Sequence, residues 1–256
     1  MPAFFLLGVV SLRIPRIYTQ QELRASTSIN LEAKAVKHIK DVLRMNIGNE
    51  IILFNGDGHD YTSTISELSK KSISVSIESK QTVSNESPVT IHLLQPLCRA
   101  EKMDWCLQKA TELGVNEITP FISARVNINI AANRVEKKMD HWRSVIESAC
   151  EQSGRATIPN INPPTAFNIA INISAKECIK LIASPSADKT TLSSADISTT
   201  SCLCAIGPEG GFNQDEILQA QHHDFISIKM GPRILRLETA VISALTLCQS
   251  RWGDFN

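Results

Sequence analysis

Residues 202–212 read CLCAIGPEGGF, and residues 225–240 read FISIKMGPRILRLETA. Each opens as a short, strongly apolar run of the kind buried in a parallel sheet, then breaks at a bend containing glycine. A helix signal follows both. After the first bend, Asn213 stands at a capping position with Glu216 three residues on, the spacing of a capping box. After the second, Leu237–Cys248 has the pattern of a closing helix. Strand, glycine bend and helix in succession predict an α/β fold whose ligands bind at the C-terminal ends of the strands.

The three glycines within 207–211 let a backbone approach a ligand closely. Neither bend is a GxGxxG fingerprint and GxxxxGK[ST] is absent, which disfavours ordinary dinucleotide and P-loop triphosphate sites. In the second bend, Arg236 sits where a cation opposes the helix dipole. A partner, either Glu238 or a ligand anion, would account for it.

Working towards the N-terminus, strand and helix patterns alternate. Strands are expected at Thr90–Leu94, Glu117–Ile122, Cys178–Ala183 and Phe225–Met230, and helices at Lys102–Leu113 and Asn133–Ser153, stopped by Gly114 and Gly154. Ser184–Thr200 reads as a long surface loop. The first 80 residues differ: one helix over Leu31–Met45, then short strands at Glu50–Phe54, Tyr61–Leu68 and Ser72–Ile77 joined by tight turns such as Gly56-Asp57-Gly58. That pattern predicts a compact barrel or small sandwich. Residues 79–88, SKQTVSNESP, are polar and aperiodic, so three segments are expected: 1–78, a linker at 79–88, and an α/β domain over 89–256.

Composition narrows the class further. With 26 basic and 26 acidic residues the chain has no global pull towards nucleic acid, so any RNA site must be a local patch. The seven cysteines show no CxxC pair and no histidine cluster beside them, which argues against a disulfide framework or a metal site and fits a reducing cytoplasm. Apolar residues 2–10 precede Arg13 and Arg16 rather than following basic residues, and they are too few to span a bilayer. No membrane segment is expected. His38, His222 and His223 read as helix-face residues, and Trp105, Trp142 and Trp252 as core or interface anchors.

The strings IGPEGG (206–211) and GPRILRLETA (231–240) resemble the signature of the RsmE family, SPOUT methyltransferases that modify N3 of a uridine in small-subunit ribosomal RNA. Further matches occur in the family's order: RIPRIY (13–18), HIKDVLR (38–44), NGDGHDY (55–61), KATELGV (109–115) and EQSGR (151–155). The resemblance implies a PUA-like β-barrel over 1–78, with 1–12 an added lead, and a SPOUT domain over 89–256 whose C-terminal part forms a trefoil knot. It also implies a homodimer, S-adenosyl-L-methionine as cofactor, and ribosomal RNA within the 30S subunit as partner.

Carried onto this chain, the family pattern places Gly207, Pro208, Glu209, Gly210 and Gly211 on one wall of the cofactor pocket. Met230, Gly231, Ile234 and Leu235 fall on the other wall, with Arg236, Glu238 and Thr239 near the methyl group and the target base. Arg13, Arg16, Lys37, His38, Arg44, Arg125 and Arg155 are the RNA contacts it implies, while Lys109, Glu112, Glu151 and Gln152 build the helical side of the site or the dimer contact. The N3 of uridine carries a proton and becomes nucleophilic only on losing it. Arg236 is therefore expected to stabilise the uridinate, and Glu238, with Glu209 as substitute, to accept the proton. Two alternatives are a nucleotide hydrolase built on the same bends, needing magnesium and a triphosphate, and a noncatalytic RNA-binding module without cofactor affinity.

Overall fold

The computed structural model describes residues 14–69, 71–126, 130–173, 178–185, 187 and 199–255. Arg13, the lead at 1–12 and most of the loop expected at Ser184–Thr200 lie outside the described residues. The chain divides into two compact units that part between Val83 and Ser84.

Among the described residues, the first unit is a five-stranded sheet with one short α-helix. β1 (Arg16–Tyr18), β2 (Thr27–Asn30), α1 (Ala33–Lys37), β3 (Glu50–Phe54), β4 (His59–Leu68) and β5 (Ile73–Thr82) follow in order. The sheet order is β1-β3-β4-β5-β2, antiparallel except for β1 on β3. Alternating Tyr61, Ile65, Ile73, Val75 and Ile77 turn one face into a core closed by Val36 and Ile39. Two differences from the sequence reading stand out. The helix continues past Lys37 as a π-helical turn, His38–Val42. β5 also runs on to Thr82, into the stretch read as linker, because His59–Thr62 of β4 pairs with Ser79–Thr82. These last residues of β5 are exposed, so their polarity reflects a solvated strand and not the absence of one.

The second unit is an α/β layer. Its elements are β6 (Thr90–Pro96), α2 (Ala100–Glu112), β7 (Glu117–Ile122), α3 (Val135–Ser153), β8 (Asn160–Ile161), β9 (Thr165–Ala166) and α4 (Phe167–Ala170). They continue with β10 (Ile179–Ala183), β11 (Ser201–Ala205), α5 (Gln214–His222), β12 (Ile226–Ile228) and α6 (Leu237–Trp252). The strand order is β12-β10-β11-β6-β7-β8, with β9 also on β7, and every pairing is parallel. Burial of nearly every residue explains the apolar character of β10 and β11, broken only by Lys180 and Ser201, which are half-buried. Because the strands are parallel, their C-terminal ends share one edge. The chain leaves β11, passes β10 to make β12, and returns in α6 to pack on α2 and β11.

Candidate active site

Three connections leave the shared edge beside one another: Ser184-Pro185 after β10, Gly207–Gly211 after β11 and Met230–Arg236 after β12. Between them lies a small cleft of ≈ 100 Å³ that opens to solvent. Ala183, Ile206 and Ile228 form its floor, and Leu237 and Ala240 bring in the first turn of α6. Ile234 stands at the mouth 88% exposed, an apolar side chain left uncovered.

Each bend is fixed from its far side. Gly211 and Gly231 hold φ at +68° and +82°, where a side chain would strain the backbone. Asn213 caps α5, its Oδ1 accepting from Glu216 N at 2.7 Å while Glu216 Oε2 accepts from Asn213 N at 2.9 Å. The buried Glu216 carboxylate goes further: its Oε1 accepts from Ser123 Oγ at 2.7 Å and from Ala124 N at 2.9 Å, tying the first bend to the loop after β7. Arg125 in that loop donates from Nη1 to Gly210 O at 2.7 Å. Phe212 anchors the bend's end against Phe121 and Phe167.

Charge gathers along one rim. Lys102, in the first turn of α2, pairs with Glu209 of the first bend, and its Nζ lies 3.9 Å from Glu238 Oε2 at the start of α6. That Glu238 oxygen is buried and has no hydrogen-bond partner among the described residues. The hydrogen bond from Lys102 holds the Glu209 carboxyl below its ordinary value, with the charges of Lys102, Arg99 and Arg236 adding to the effect. Burial, helped by the negative charge of Glu209, pushes the nearby Cys98 thiol up to about 12. Arg236 occupies the cap position of α6, its side chain exposed and without an ion pair among the described residues. Its carbonyl accepts the first helical bond, from Ala240 N at 2.8 Å.

Of the residues assigned to the cofactor from sequence, Gly207, Pro208, Glu209, Gly211, Met230, Gly231, Ile234 and Leu235 line the cleft. Gly210, Arg236 and Thr239 lie beside it in the same segments without lining it. Glu238 neighbours Lys102, whereas Glu209 is corrected as a substitute base: it is exposed, and its pairing with Lys102 makes it a weaker proton acceptor, not a stronger one.

The RNA contacts expected from sequence divide between the two units. Lys37 and Arg44 are exposed and His38 is half-buried on the first unit. Arg16 is corrected: it is buried, pairs with Asp60 and lies over the Phe54 ring at 4.7 Å from the centroid. Arg155 is corrected likewise, being 4% exposed and donating to both oxygens of Glu86 at 2.9 and 2.6 Å and to the carbonyls of Thr111 and Val115. Both guanidinium groups are committed inside the fold. Arg125 is exposed but engaged by Gly210. Lys109 pairs with Glu112 on the same helix at 2.8 Å. Sequence reasoning passed over Lys102, Ser184, Pro185 and Arg233; Arg233 alone carried a signal, lying inside the second bend. No group of three or more metal-binding side chains occurs among the described residues.

The donor set suits a flat apolar group joined to a cation. Aliphatic walls offer a place for a ring, glycine backbones offer hydrogen bonds, and a carboxylate stands at the rim. Comparisons with known proteins agree. A family described as "RNA methyltransferase domain" matches residues 85–249, and one described as "RNA methyltransferase PUA domain" matches residues 31–78. The ribosomal RNA small subunit methyltransferase E of Buchnera aphidicola (subsp. Schizaphis graminum) is 38% identical, over 95% of this chain and 99% of that protein. A protein of Legionella pneumophila, solved with its cofactor SAM bound, superposes with a TM-score of 0.91 at 39% identity, covering 95% of this chain and 100% of its own. The ribosomal RNA small subunit methyltransferase E of Neisseria gonorrhoeae, bound to S-adenosyl methionine, gives 0.89 at 35% identity, with 95% and 100% covered.

Proposed function

Because the chain belongs to the ribosomal RNA small subunit methyltransferase E family, we propose that it methylates N3 of a uridine in small-subunit ribosomal RNA with S-adenosyl-L-methionine as methyl donor. The observation that carries this reading is the meeting of both glycine bends around one cleft, with Arg236 and Glu238 at its edge. Gly207–Gly211 and Met230–Leu235 would hold the cofactor, which supplies, when bound, an electrophilic methyl group on a sulfonium. Every other requirement falls on side chains of the chain itself.

The N3 proton must leave before nitrogen can attack. Glu238 accepts it: the N3–H bond breaks, an O–H bond forms on the carboxylate, and the electron pair stays on nitrogen. Arg236 faces solvent with its charge uncompensated by an ion pair among the described residues, so it is free to meet the uracil oxygen that takes up the anion's charge.

A homodimer, the 30S subunit as substrate, a trefoil knot and a cytoplasmic setting belong to the same proposal. The uncovered Ile234 supports a partner at the mouth of the cleft. The path from β11 past β10 to β12 and back through α6 supports the knot. No described helix is long and apolar enough to cross a membrane. Lys37 and Arg44 are the exposed cations of the first unit proposed to meet RNA phosphates.

The test is incubation with methyl-labelled S-adenosylmethionine and either 30S subunits or free 16S RNA, followed by digestion and mass spectrometry of the nucleosides. Label in 3-methyluridine is the expected result; label in another nucleoside, or none, overturns it. Arg236→Ala should lower kcat by about 10²–10³-fold while calorimetry finds cofactor affinity nearly unchanged.

A further inference from the structure

Two carboxylates flank one ammonium at the rim of the cleft, and they are treated differently. Lys102 gives a hydrogen bond to Glu209 but stands 3.9 Å from Glu238 Oε2, too far for a hydrogen bond yet within strong Coulombic reach. A hydrogen bond and a nearby countercharge both stabilise a carboxylate's charged form, but only the hydrogen bond occupies the lone pair that would take a proton. Glu238 Oε2 is in the second condition, buried and with no hydrogen-bond partner among the described residues. We propose that Lys102 is a positioning residue for methyl transfer: anchored on Glu209, it countercharges Glu238 and so fixes that carboxylate as the acceptor of the substrate proton.

The inference rests on the methyltransferase reading above and adds to it the division of labour between the two glutamates. Lys102 joins three segments far apart in sequence, α2, the bend after β11 and the start of α6. Other charged or titratable groups face the cluster from each side: Cys98 and Arg99 after β6, Asp104 and Cys106 on α2, and Arg236 on α6. Arg99 and Arg236 remain when Lys102 is removed, so its loss weakens the local positive field without abolishing it.

The test compares wild type, Lys102→Met and Lys102→Arg, each also in a Glu238→Gln background. Methyl transfer to 30S subunits is followed for kcat and KM, and cofactor affinity is measured by calorimetry. In Lys102→Met kcat falls by about tenfold while KM and cofactor affinity stay within about twofold, Lys102→Arg restores the rate, and in the Glu238→Gln background Lys102→Met costs nothing further. A Lys102→Met protein with wild-type kcat overturns the inference, as does one that loses cofactor affinity in step with rate or one whose loss persists in the Glu238→Gln background. If the wild type itself transfers no methyl group, the failure lies with the methyltransferase reading, a result distinct from an active wild type whose rate Lys102→Met leaves untouched.

Discussion

Gly231 holds φ at +82° with no atom closer than the Arg233 guanidinium, 3.7 Å from where a Cβ would sit. Space is therefore not the constraint there; backbone conformation is. Gly231→Ala should destabilise the protein by about 1 kcal/mol and weaken cofactor binding by reshaping one wall, as read by urea midpoint and calorimetry. Cys98 offers a second check. Its thiol, pushed up to about 12 by burial, stays protonated at neutral pH and should react with iodoacetamide about 10³-fold more slowly than an ordinary thiol at pH 8. The glycine bends and the Asn213–Glu216 cap were legible in the sequence because each is written within seven residues. Arg155 was not, since the Glu86 that buries it lies 69 positions away in a stretch that reads as linker. Lys102 was hidden for the same reason, its partners being residues 209 and 238.

β6 carries an imidazole inside the sheet layer. His92 Nε2 lies 2.8 Å from Thr119 Oγ1 on β7, and burial lowers its pKa against the opposing pull of Glu117. A histidine depressed in the folded state binds its proton later than the same residue in the unfolded chain. Stability is therefore full above the ordinary imidazole value and is lost as pH falls through it towards the lower folded value. The Tm of wild type should drop more between about pH 7.5 and about pH 5.5 than that of His92→Gln, measured by calorimetry in matched buffers; parallel curves would count against the assignment. Among the elements, those with a clear period came through from sequence: β3 and β7 keep their expected ends, and α3 stops at Gly154, whose φ of +86° caps it. Where pairing overrides pattern, the reading fell short. β1 and β2 went unrecognised because three or four residues carry too little periodicity, and β5 outran its apolar stretch because β4 offers a partner along its whole length.

At the scale of the molecule, the cleft belongs wholly to the second unit, and so does every partner found for its lining. A chain of residues 84–256 should bind S-adenosylmethionine with an affinity within about threefold of the full protein, yet methylate 30S subunits poorly for want of the first unit; calorimetry and label transfer check the two halves separately. The α/β class and the change of architecture between the two units were readable from composition and period, whereas the sheet order was not, because nothing local tells β12 to settle beyond β10. α6 closes the fold at both of its ends. Leu237 and Ala240 line the cleft, while near its other end Gln249 donates to Leu113 O at 2.7 Å and accepts from Ser87 Oγ at 2.7 Å. A ribosome translating this message thus exposes the whole first unit well before the catalytic region can exist, and a nonsense codon between Ser84 and the last helix yields a product with its first unit complete and no means of catalysis.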